Sequence, residues 1–93
     1  MQRKGIIAAA REVLMRHGIR KAYIFGSFAR REKTPKDIDI AIVPPGGKFS
    51  LLDLVGLEQE IEDKTGKKAD VSLLRAMKKG VLANAKADMA AIV

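Results

Sequence analysis

Residues 22–43 read AYIFGSFARREKTPKDIDIAIV, and the last seven of them decide the fold. In Asp37-Ile38-Asp39-Ile40-Ala41-Ile42-Val43 the side chains alternate strictly, the period of a β-strand with one buried face. Ile38, Ile40 and Ile42 share the core side, and Asp37, Asp39 and Ala41 the other. Upstream, Lys21-Ala22-Tyr23-Ile24-Phe25 is short, apolar and β-prone, and it runs straight into Gly26-Ser27, a strand followed by a turn. The intervening REKTPK (31–36) reads as an exposed loop, because Pro35 forbids a helix through it.

Working outward, residues 2–17 carry Ile6, Ala10, Val13 (or Leu14) and His17 at helical spacing, and Gly18 stands where a left-handed C-terminal cap belongs. Pro44, Pro45, Gly46 and Gly47 stop the isoleucine strand. Ser50 with Asp53 three positions on resembles the capping arrangement of a second long helix, which places Leu54, Leu57 and Ile61 on one side and ends near Gly66. KKADVSLL (67–74) reads as a third strand, with Val71 and Leu73 opposite Asp70 and Ser72. The tail places Val81 (or Leu82), Ala85, Met89 and Ile92 at helical spacing, a final helix with Gly80 as a point of breakage. The expected architecture is α/β (α+β): a mixed sheet of at least three strands, with helices covering the face of Ile38, Ile40 and Ile42.

A chain of 93 residues has room for one domain, 1–93, and the mixture of 47% hydrophobic and 31% charged residues is that of a globular protein. With three phenylalanines, one tyrosine and no tryptophan, the core must be aliphatic. No apolar run approaches the ~20 residues of a membrane span, and no cleavage-site pattern is visible, so the expected location is the cytoplasm. The lack of cysteine removes disulfides and thiolate metal sites, and a single histidine removes the common zinc arrangements. A bound metal would have oxygen ligands, which favours Mg²⁺ or Mn²⁺. The net charge of +7 points to an anionic partner without choosing among nucleic acid, acidic protein and nucleotide phosphate.

The chemistry concentrates on the polar strand face. Asp37 and Asp39 project from the same side, with Cα atoms about 6.5–7 Å apart, so their carboxylates can converge. Two like charges so placed cost stability unless a cation compensates them. Asp70, at the start of another strand, is the natural third ligand and a candidate general base. Gly26 lets the backbone approach a phosphate, the Ser27 hydroxyl adds a hydrogen bond, and Arg30 stands about one turn further on. Arg31 and Lys36 are looser candidates for the same phosphates. An Asp-x-Asp strand or a Gly-Ser turn alone is ordinary; the ordered combination is specific. His17, at a helix end, reads as structural, Met15, Met77 and Met89 as packing filler, and Tyr23 and Phe25 as strand packing.

On these residues the chain resembles the DNA polymerase beta-like nucleotidyltransferases, and most of all the minimal nucleotidyltransferases, or MNT proteins. The resemblance spans nearly the whole chain in element order. It implies a nucleotide-binding turn at Gly26 and Ser27, metal carboxylates at Asp37, Asp39 and Asp70, and a phosphate-binding arginine at Arg30. Arg31 stands where many members have glycine, and Lys36 where serine commonly precedes the first aspartate.

The resemblance further implies an antitoxin that transfers AMP from ATP to a tyrosine hydroxyl of a cognate HEPN ribonuclease toxin, with Mg²⁺ as cofactor. The small size suits that role, since an acceptor protein brings its own docking surface. Two other readings stand beside it: an antitoxin with a vestigial site that neutralises its partner by binding alone, and a nucleotidyltransferase directed at nucleic acid through the positive charge.

Overall fold

The structure is a computed structural model and describes residues 3–30, 37–47 and 49–93, with the backbone alone of Ser27. The REKTPK loop, Arg31, Lys36 and the Ser27 hydroxyl lie outside the described residues. In chain order the elements are α1 (Arg3–Arg16), β1 (Lys21–Phe25), α2 (Gly26–Ala29), β2 (Asp37–Val43), α3 (Leu51–Thr65), β3 (Lys68–Leu73), a 3₁₀ turn (Leu74–Ala76), α4 (Lys79–Asp88) and β4 (Ala90–Ala91).

Four strands form one sheet in the order β3-β2-β1-β4. β1 runs antiparallel to both β2 and β4, while β2 and β3 are parallel, joined by α3 as the crossover. The register sets Ile24 against Ile40, Ala22 against Ile42 and Val71 against Ile40, so one face of the sheet is continuously apolar. Against that face pack Ile6, Ala10, Val13 and Leu14 of α1, and Leu57 and Ile61 of α3, all at most 2% exposed. These side chains and the three isoleucines of β2 make the core together with Ile19, Ala22, Ile24, Phe28, Ala69 and Val71.

The helix ends are local sequence chemistry. At the end of α1, Gly18 takes φ +79, Ile19 N–H donates to Leu14 O and Gly18 N–H to Met15 O, both at 3.0 Å, which is the Schellman arrangement. The buried Ile19 and Leu14 supply its apolar contact. Ser50 and Asp53 form a reciprocal capping box, and Gly66 closes α3 at φ +72. His17 follows α1 and bonds to Glu60 of α3 at 2.9 Å, beside an Arg16–Glu60 pair at 2.7 Å, so it ties two helices together.

Two expectations need correction. The tail is not helical through Ile92: α4 ends at Asp88, Met89 is extended (φ −66, ψ 129), and Ala90–Ala91 pair with Ile24 and Tyr23 as a fourth strand. Ala85 completes the packing of α4, whereas Val81 remains 53% exposed. Gly80 does not break the helix but lies in its first turn.

Candidate active site

The face of the sheet opposite the core carries Asp37, Asp39 and Asp70. Their placement follows from alternation: Ile38 and Ile40 are fully buried on one side, so Asp37 and Asp39 must stand on the other. Asp70 is the direct register partner of Asp39 across the parallel β2–β3 pair, and Phe25 is its partner on β1. Adjacent strands lie about 4.8 Å apart, so Asp39 has a second carboxylate beside it along its strand and a third across the sheet.

That crowding has an electrostatic signature. The Asp39 carboxyl is pushed above its ordinary value, first by burial and then by the charges of Asp70 and Asp37, while Arg30 acts in the opposite direction. Asp39 and Asp37 are half-buried and Asp70 is exposed. Among the described residues, no three His, Cys, Asp or Glu side chains are gathered into a ready metal cage. The donor chemistry nevertheless suits a hard divalent cation: all three groups are carboxylates, and their mutual repulsion is what such an ion would relieve.

Gly26 begins α2 directly after β1. It takes φ +76, and a Cβ built on it would run into Asp39 Oδ2. Glycine is thus required twice, by the backbone conformation and by the carboxylate beside it. The helix it opens has only four residues, so its dipole is small and the turn offers backbone N–H groups rather than a long helix terminus. Phe28, 3% exposed, plugs α2 into the core, and Arg3 of α1 lies 4.8 Å over its ring while donating to its carbonyl. Arg30 caps α2, its N–H bonded to Gly26 O at 3.0 Å, and its Nη1 donates to Asp88 Oδ2 of α4 at 2.8 Å.

A cavity of about 350 Å³ opens on the aspartates, with Asp39 and Asp70 on one wall and Phe25, Leu73, Met77 and Val81 around them. A second, of about 240 Å³, holds Gly26, Arg30 and Asp88 and shares Phe25 and Val81 with the first. The two are adjoining parts of one cleft beneath α4. Met77 and Phe25, expected as packing residues, line it, and the pairing of Asp88 with Arg30 was not foreseen. The signal for Asp88 was faint: a carboxylate in the last turn of a helix, where the dipole disfavours it. A larger apolar groove of about 870 Å³ runs between α1 and β4, with the half-exposed Met15 in its wall, and none of the aspartates reaches it.

A mixed sheet with two aspartates on an inner strand, a third on the parallel strand to one side and a glycine turn after the antiparallel strand to the other is the arrangement of the nucleotidyltransferase fold. The chain superimposes on a "putative minimal nucleotidyltransferase" with TM-score 0.78 at 24% identity, over 97% of this chain and 95% of the other. It likewise matches the crystal structure of a toxin-antitoxin with AMP-PNP, at TM-score 0.77 and 18% identity, over 100% of this chain and 73% of the other. A complex of a tri-AMPylated Shewanella oneidensis HEPN toxin with an MNT antitoxin gives TM-score 0.77 at 16% identity, over 99% of this chain and 72% of the other.

Residues 9–93 match the family described as Polymerase beta, Nucleotidyltransferase, and the chain belongs to that family. In sequence it is 52% identical over 60 residues to "Putative protein adenylyltransferase MJ0435" of Methanocaldococcus jannaschii. That alignment covers 63% of this chain and 63% of the length of the relative.

Proposed function

We propose that this protein is a Mg²⁺-dependent protein adenylyltransferase that acts as an antitoxin, moving AMP from ATP to a tyrosine hydroxyl of a cognate HEPN toxin. The observation that carries the reading is the meeting of Asp37, Asp39 and Asp70 on one sheet face against the Gly26 turn. The relative from Methanocaldococcus jannaschii, named as an adenylyltransferase, and the fold shared with an MNT antitoxin complexed with an AMPylated toxin support it. The use of ATP and Mg²⁺ fits a cytoplasmic working place.

Asp37, Asp39 and Asp70 would hold Mg²⁺, or Mn²⁺; when bound, the ion supplies charge for the triphosphate and a lowered pKa for the attacking hydroxyl. The Gly26–Ser27 backbone approaches the phosphates closely because no side chain intervenes at Gly26. Arg30 adds a guanidinium to the charge that develops as pyrophosphate leaves. In the transfer the acceptor oxygen bonds to the α-phosphorus, the bond from that phosphorus to the β-phosphate oxygen breaks, and the hydroxyl proton passes to Asp70. The open cleft beneath α4 leaves the acceptor to be positioned by the protein that carries it.

The test is intact-mass analysis of a candidate HEPN partner after incubation with this protein, ATP and Mg²⁺, alongside an Asp37→Ala/Asp39→Ala double variant. A gain of one or more AMP masses that the variant abolishes is the expected result. The second reading is neutralisation of the partner by binding alone, with the site vestigial. A partner silenced without mass gain, and silenced equally by the double variant, would establish that instead.

A further inference from the structure

We propose that Asp88 is a positioning residue for Arg30, holding its guanidinium beside the Gly26 turn so that it meets the triphosphate already oriented. The inference rests on the nucleotidyl-transfer reading and adds to it a residue on a different element. The two side chains are joined at 2.8 Å across 58 positions of sequence. Asp88 is the last residue of α4, where the helix dipole opposes a carboxylate, so helix stability alone does not account for it. Its side chain is only 21% exposed, against 49% for Arg30, so the carboxylate is the more fixed member of the pair.

The position of the pair matters as much as its geometry. Arg30 and Asp88 line the same cavity as Gly26, and that cavity adjoins the one that holds Asp39 and Asp70. Arg30 extends from the cap of a four-residue helix, and its long side chain has many rotamers to choose from. A planar fork of five N–H donors can be oriented by a carboxylate on one edge and address a phosphate with another. A carboxylate that merely competed for Arg30 would weaken nucleotide binding, and its loss would tighten it.

The experiment measures the affinity of wild type, Asp88→Asn, Asp88→Ala, Arg30→Ala and the Arg30→Ala/Asp88→Ala double variant for a non-hydrolysable ATP analogue with Mg²⁺. Thermal unfolding is followed on each. Asp88→Ala is expected to weaken binding about tenfold and Asp88→Asn by less, because Asn keeps an acceptor. On the Arg30→Ala background the loss of Asp88 should change nothing further. Tighter or unchanged binding in Asp88→Ala, or an equal loss with and without Arg30, overturns the assignment. If Asp88→Ala fails to fold, Asp88→Asn carries the same test, with partial recovery expected in Asp88→Glu. Binding by wild type with Asp88 variants unaffected sinks this inference alone; no binding by wild type sinks the functional reading and the inference together.

Discussion

Gly26 and Asp39 occupy touching spaces: the carboxylate of Asp39 stands where a Cβ at residue 26 would be. Turn and aspartate strand are therefore one unit, and a single methyl group at the turn must displace the carboxylate of a proposed metal ligand. Gly26→Ala adds a positive-φ cost of about 1–2 kcal/mol to that displacement. We expect a Tm several degrees lower and AMP transfer reduced at least tenfold, by roughly the amount a misplaced catalytic group costs. Thermal melting and the mass assay check both, and wild-type transfer in this variant would refute the coupling.

Asp39 gives the fold a pH dependence of its own. Its carboxyl titrates above the ordinary range because burial, Asp70 and Asp37 all oppose its charge. The folded protein therefore binds a proton that the unfolded chain has already released, and stability falls as pH rises from the ordinary aspartate pKa through the raised one. Above that window the charged carboxylate destabilises the fold. Asp39→Asn should accordingly be more stable than wild type at neutral pH, with a Tm gain of roughly a few degrees that shrinks on acidification. Mg²⁺ should raise the Tm of wild type and not of the variant, since it stabilises the ionised form. A variant less stable than wild type at pH 7 would contradict this account.

Glu60 behaves in the opposite sense. A hydrogen bond from His17, with the nearby charges of His17 and Arg16, lowers its pKa despite the smaller opposing effect of desolvation. Its contribution is present above the ordinary glutamate pKa and is lost as pH falls through the lowered one. The pair is exposed and screened, so the effect is small and salt-sensitive. Glu60→Gln should lower the Tm slightly at neutral pH and low salt, and the difference from wild type should vanish once the pH falls below the lowered pKa and in ~1 M salt. A difference that persists unchanged in high salt would assign Glu60 a packing role instead.

What the sequence disclosed, and what it withheld, follows from where the information resides. The strand DIDIAIV, the Ser50–Asp53 cap and the Gly18 and Gly66 stops are local signals, and each appears in the structure where the pattern puts it. Asp39 and Asp70 were readable as one face because alternation fixes a face, but their direct pairing depends on the β2–β3 register, which no local pattern encodes. β4 is two alanines with no strand propensity; it exists because the edge of β1 needs hydrogen-bond partners, so the helical spacing of Met89 and Ile92 misled. Asp88 carries only a faint local signal of its role because its partner, Arg30, lies on another element.

Glu58 and Glu62 illustrate the same limit and give a last prediction. Sequence spacing puts both on the polar face of α3, yet Glu58 Oε2 accepts from Val71 N–H at 2.8 Å and Glu62 Oε2 from Ala69 N–H at 3.0 Å. Spaced four apart on α3, they satisfy alternate N–H groups on the outer edge of β3, the edge that would otherwise offer itself to another strand. Asp70 lies between those two residues, so the same bonds steady a proposed metal ligand. Glu58→Ala/Glu62→Ala should cost about 2–4 kcal/mol, the price of two charge-assisted bonds to partly buried donors. Exposure of the β3 edge should also raise light scattering at concentrations where wild type stays clear. Glu58→Gln/Glu62→Gln keeps the acceptors and loses the charge, so it should lie between the two. Equal stability of wild type and the double alanine variant would show that these carboxylates do not hold the edge.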